Sequence, residues 1–118
     1  MVEQESERVL ELMESDQQWC ASALCLAEAR VTLCHLGFDG TTEQALIDEL
    51  LEDWEEFNVV PVDDACLARA AEIGCDHRVR TLDAIHLSAA ERLPRPVFFL
   101  TFDARQAAVA RELGFGAD

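Results

Sequence analysis

Thr81-Leu82-Asp83-Ala84-Ile85-His86-Leu87-Ser88-Ala89-Ala90 sets a carboxylate on what reads as the apolar face of a helix. His86 and Leu87 lie one turn on from Asp83, and Ala90 one turn beyond them. A buried carboxylate is costly unless something pairs with it, so Asp83 needs a reason to be there. Glu28 shares the oddity, and Asp103 lies where a partner is expected. Together the three acids suggest a metal-binding acidic cluster.

The helix that carries Asp83 is expected over residues 81–92, with Pro94 and Pro96 ending it. Residues 97–102 form a continuous apolar run, the pattern of a strand covered on both faces. A last helix is expected over residues 103–113, before Gly114. Upstream, Asp63 or Asp64 caps a helix running to Ile73, and Gly74 is its natural stop. Residues 57–62 read as a strand with Pro61 near its end. The helix before it carries Leu46, Ile47, Leu50, Leu51 and Trp54 at helical spacing, and Thr41 with Gln44 forms a capping box. Residues 37–40 are a loop. Residues 24–36 read as a helix closed by Gly37, residues 19–23 as a short buried strand, and residues 6–14 as a short helix. Strands alternating with helices argue for an α/β fold with a parallel sheet. Ligands of such sheets bind beyond the carboxyl ends of the strands. Asp103 directly follows a strand, and Glu28 lies about one turn into the helix after another.

A chain of 118 residues, half of them apolar, fits a single domain over residues 1–118 with a real core. No apolar run approaches a membrane span and no charged-then-apolar leader is present, so a soluble cytoplasmic protein is expected. The net charge is −15 and every basic residue is Arg. Phosphate binding normally needs basic surface, which counts against a simple nucleic-acid-binding module. It does not exclude a nuclease whose acids hold divalent cations, because the ion reverses the local charge logic. It also makes a basic partner protein plausible. The five cysteines, Cys20, Cys25, Cys34, Cys66 and Cys75, show no C-x-x-C spacing and read as small reduced core residues. With His35, His77 and His86 they form no zinc pattern.

Each acid also has a structural explanation. Glu28 could pair with Arg30 or Arg80. Asp83 could serve the first turn of its helix, with Thr81 as cap. Asp103 and Gln106 have capping-box spacing, and a cap can also face a metal. His86 reads as a packed helical histidine with a satisfied ring nitrogen and is assigned no catalytic work. Arg78 reads as surface, while Arg80 could balance the acids or touch phosphate. Converging carboxylates suit hard cations such as Mg²⁺ and Mn²⁺, which prefer oxygen ligands.

Ser22-Ala23-Leu24-Cys25-Leu26-Ala27-Glu28-Ala29-Arg30, then Leu82-Asp83-Ala84-Ile85-His86-Leu87, then Thr101-Phe102-Asp103, resemble the PIN-domain ribonucleases, above all the VapC-type toxins of toxin–antitoxin pairs. The resemblance implies a three-layer α/β/α fold around a parallel sheet. It implies a metal-dependent endoribonuclease in which Glu28, Asp83 and Asp103 are the catalytic acids that hold Mg²⁺ or Mn²⁺. Thr101 and Arg80 would support them. It further implies an RNA substrate, a cognate antitoxin that blocks the cleft, and possible homodimers. The sequence departs from the family at its start. The family opens with a central apolar strand ending in Asp-Thr-Ser or similar, which supplies a fourth acid, whereas Met1-Val2-Glu3-Gln4-Glu5-Ser6 looks like the segment after it. The expectation is a missing N-terminal central strand, a weakened fold and a crippled metal site. Equal stability and activity in a version carrying that strand would sink this expectation. The alternative reading is a catalytically impaired PIN-like module that binds a basic, antitoxin-type partner.

Overall fold

The computed structural model describes residues 19–101 and 103–117. The helix expected over residues 6–14 lies outside the described residues. In chain order the elements are β1 (Cys20–Ser22), α1 (Leu24–His35), α2 (Gly40–Glu55), β2 (Asn58–Val60), α3 (Asp64–His77), α4 (Thr81–Glu91), β3 (Phe98–Phe99), α5 (Ala104–Glu112) and β4 (Gly116–Ala117). Helices alternate with parallel strands in a three-layer α/β/α arrangement, as expected.

Helix α4 is the centre of the core. Ala84, Ile85, Leu87, Ser88, Ala89 and Ala90 are all buried in it, a fraction far above the narrow stripe of a surface helix. It packs on α3, which contributes Cys66, Ala70 and Ile73, and on β1. The small residues of α4 let these neighbours come close, and Ser88 is accommodated by donating to the Cys66 carbonyl at 2.8 Å. Ile73 and Leu87 are completely buried, and each stabilises the fold by about 1.5–3 kcal/mol.

Aspartates start three helices. Asp63 caps α3 by accepting from the Cys66 amide at 2.9 Å, and its second partner is Arg92 at 2.7 Å. Those bonds hold the Asp63 carboxyl below its usual range. The capping box expected at Thr41 and Gln44 is not formed. Asp39 caps α2 instead, accepting from the Thr42 amide at 2.8 Å, so the helix begins at Gly40. Gln44 turns to Asp48 on the next turn.

Gly74 does not stop α3. The helix runs on to His77 and ends at Arg78, which adopts the left-handed conformation at φ 55°. The terminal carbonyls of His77 and Arg78 are held by the Arg105 guanidinium at 3.1 and 2.9 Å, which replaces the usual glycine stop.

The sheet is divided among the described residues. β1 pairs with β2 in register Cys20↔Asn58 to Ser22↔Val60, and β3 pairs separately with β4 at Phe98↔Gly116 and Phe99↔Ala117. Among the described residues the parallel sheet expected from the sequence is represented by these two parallel pairs. The long strand expected over residues 97–102 is a two-residue pairing, with Phe98 46% and Leu100 41% exposed rather than covered. A strand extends only as far as its ladder partner, and β4 offers two residues. Between the pairs lies a cavity of about 600 Å³, lined by β1, by His86, Ala89 and Ala90 of α4, and by residues 97–100.

Two substitutions check this description by urea denaturation. Leu87→Ala should cost about 2–5 kcal/mol, whereas Leu82→Ala, at a half-exposed position of the same helix, should stay within about 0.5 kcal/mol. Gly74→Ala should stabilise by about 0.5–1 kcal/mol, because helix propensity rises and an added Cβ meets Val79 O at 3.4 Å and Ala84 Cβ at 3.6 Å, both ordinary contacts.

Candidate functional site

The three acids singled out in the sequence sit on three different elements. Glu28 lies on α1, Asp83 in the first turn of α4, and Asp103 is the N-cap of α5. Each has a definite local partner.

Glu28 engages neither Arg30 nor Arg80. Its Oε1 accepts a hydrogen bond from Nε2 of His86, and its side chain is 43% exposed. A carboxylate only accepts, so Nε2 of His86 carries the proton. The other ring nitrogen, Nδ1, faces Ser22 Oγ at 2.8 Å and Cys25 Sγ at 3.7 Å. Ser22 Oγ and Cys25 Sγ are 3.8 Å apart. These four side chains form one polar knot at the carboxyl end of β1 and the start of α1. Ser22 is buried, and Cys25 and His86 are partly buried. The His86 pKa is raised to about 9: hydrogen bonding to Cys25 contributes most, burial opposes, and Glu28 adds its bond and its charge.

Asp83 accepts from Arg80 Nε at 3.4 Å, an ion pair whose arginine is 85% exposed and which therefore adds little. Thr81 does not cap α4; Arg80 occupies the cap position without a side-chain bond. Asp103 Oδ1 accepts from the amides of Arg105 at 2.9 Å and Gln106 at 3.3 Å, so the expected cap is formed. The reciprocal half of the capping box is absent. The buried Gln106 side chain accepts from Thr101 Oγ1 at 2.7 Å instead, and that hydroxyl accepts from the Asp103 amide at 3.1 Å. Thr101 is thus tied directly to the backbone of Asp103. Among the described residues, no three His, Cys, Asp or Glu side chains come together as a group able to hold a metal ion.

The cysteines depart from expectation. Cys66 alone is buried; Cys20, Cys34 and Cys75 are exposed and Cys25 is intermediate. Cys34 lies on α1, which buries no residue, and Cys75 at an exposed position of α3. From sequence, Ser22 has no role of its own, Cys25 reads as core, Gln106 as half of a capping box and His86 as packing. The i, i+3 spacing of Ser22, Cys25 and Glu28 places them along one face, but their common partner lies about sixty residues away.

Parallel strands joined by helices, with acids at strand ends and helix starts, define an α/β domain whose polar groups gather at one edge of its strands. The family model of the PIN domain matches residues 3–112, nearly the whole chain. The chain belongs to the PIN domain family. It is also 34% identical over 97 residues to ribonuclease VapC47 of Mycobacterium tuberculosis (strain CDC 1551 / Oshkosh), a match covering 80% of this chain and 65% of that protein. The chain thus spans just under two thirds of the length of the curated relative it matches. No solved structure matches it. No helix among the described residues is long and apolar enough to cross a membrane.

The polar knot has a measurable pH signature. The folded state holds the His86 proton more tightly than an unfolded chain, whose histidine titrates near 6.5. Its stabilisation is therefore present in full below pH 6.5 and lost as pH rises through about 9. The Tm difference between the wild type and His86→Gln in EDTA should shrink across that window. A difference that stays constant would contradict the assignment.

Proposed function

We propose that this protein is a metal-dependent endoribonuclease, the toxin half of a toxin–antitoxin pair. The observation that carries the reading is the PIN match over residues 3–112, supported by the identity to a ribonuclease of the VapC type. In this reading Glu28, Asp83 and Asp103 hold Mg²⁺ or Mn²⁺, RNA is the substrate, and a cognate antitoxin occupies the cleft.

Three carboxylates are the right donor chemistry for a hard cation. Bound there, the ion would polarise a phosphodiester and lower the pKa of an attacking water. As the side chains stand, they do not fit around one ion. Glu28 is committed to His86, Asp83 leans on Arg80, and Asp103 spends Oδ1 on its helix. No cleavage step is therefore traced through a cation. What the chain does provide is placement: Thr101 and Gln106 fix the start of α5, and Arg80 brings a cation-bearing side chain beside Asp83. With a net charge of −15, RNA approaches against the general field, so neutralisation of these acids is needed for binding.

A second reading has its own support. The unassembled acids and the charge favour an impaired PIN-like module that binds a basic, antitoxin-type partner.

Calorimetric Mn²⁺ titration and single-stranded RNA cleavage, with and without EDTA, test the proposal. The wild type should cleave with Mn²⁺ and not in EDTA. Asp83→Asn and Asp103→Asn should each lose at least about 100-fold in rate, as loss of one metal ligand implies. Asparagine caps a helix as well as aspartate, so the Asp103 variant keeps its fold. A folded wild type with neither Mn²⁺ binding nor cleavage, yet binding a basic helical peptide, would replace the first reading with the second.

A further inference from the structure

Cys25 differs from the exposed cysteines in its surroundings. Its sulfur lies 3.7 Å from Nδ1 of His86, and the opposite ring nitrogen is anchored on the Glu28 carboxylate. Thiol, imidazole and carboxylate stand in line, the order in which a protein aligns a nucleophile, its base and the group that orients the base. Ser22 Oγ bonds the same nitrogen and steadies the ring. The line opens onto the cavity between the two strand pairs, since Ser22, Cys25 and His86 all contribute to its wall. The apolar side of that wall includes Phe57, Val60 and Leu93. We propose that Cys25 is a nucleophilic thiol that forms mixed disulfides with small disulfide-bearing molecules entering this cavity.

The exchange is balanced without any further oxidant. The Cys25 thiolate, its proton held on Nδ1 of His86, attacks one sulfur of the incoming disulfide. A new S–S bond forms to Cys25 as the old one breaks. The second sulfur leaves as a thiolate and takes up the proton from His86. Cys25 is oxidised and the small disulfide is reduced. Electrostatics point the same way: burial pushes the Cys25 thiol up, but the hydrogen bond and charge of His86, together with Ser22, outweigh it and leave the thiol below its ordinary value. The proposal concerns the protein without a bound cation, in which Glu28 is engaged by His86.

The exposed thiols make an internal control. Accessibility alone ranks Cys20, Cys34 and Cys75 ahead of the partly buried Cys25. The proposed geometry reverses the order. The full chain, reduced and in EDTA at neutral pH, is treated with limiting oxidised glutathione, quenched with acid, and each cysteine peptide is quantified by mass spectrometry. Cys25 should react at least about threefold faster than Cys34 and Cys75, because a thiol held against an imidazole gains more in thiolate fraction than it loses in nucleophilicity. His86→Gln should bring Cys25 to or below their rate and leave theirs unchanged. Glu28→Gln, which keeps the ring but frees it, should give an intermediate rate. Reaction in order of exposure in the wild type would overturn the proposal, whatever the variants do, and so would a Cys25 rate indifferent to His86→Gln in a folded variant.

Discussion

Burial of α4 on most of its circumference is the constraint on which the rest depends. The helix can lie between α3 and β1 because its covered positions are mostly alanine and serine, with Ile85 and Leu87 filling the remaining space. That fixes where its first turn emerges, and with it Asp83. It also fixes where His86 meets the end of β1. The position of the candidate site is thus a consequence of core packing, and not of the loops around it.

Much of this was legible in the sequence because it is local. Helices α1, α3, α4 and α5 follow from apolar spacing and from the Asp63 and Asp103 caps, which act over three residues or fewer. The parallel α/β class followed from the alternation of elements. What failed was anything decided at a distance. Gly74 looks like a stop in one dimension, yet the stop comes from Arg105, nearly thirty residues downstream. Residues 97–102 look like a long strand, but strand length belongs to the partner. Apolar neighbours in sequence suggested buried cysteines, while α1 and α2 bury no residue at all. The likeness to a family located Glu28, Asp83 and Asp103; their partners could not be read from spacing, because His86 reaches Glu28 across 58 residues.

The acids illustrate how one residue type can satisfy two demands. A carboxylate at a helix start is stabilised by unpaired amides, and it remains an oxygen donor facing outward. Asp103 is in that position. Glu28 is different, since its partner is a titrating ring rather than a backbone, so its availability depends on what that ring is doing. The cluster around His86 and the cap at Asp103 lie on two sides of the same cavity, to which His86 and Gln106 both contribute.

Arg105 links two distant helix ends. Its amide is held by the Asp103 carboxylate, and its guanidinium clasps the last carbonyls of α3. The start of α5 and the finish of α3 are therefore fastened by the backbone and side chain of a single residue. Anything that pulls the Asp103 carboxylate aside tugs on this clasp and loosens the left-handed turn at Arg78. Occupancy at one edge of the domain would in this way be felt as slack at the end of a core helix, a mechanical connection that runs through no loop.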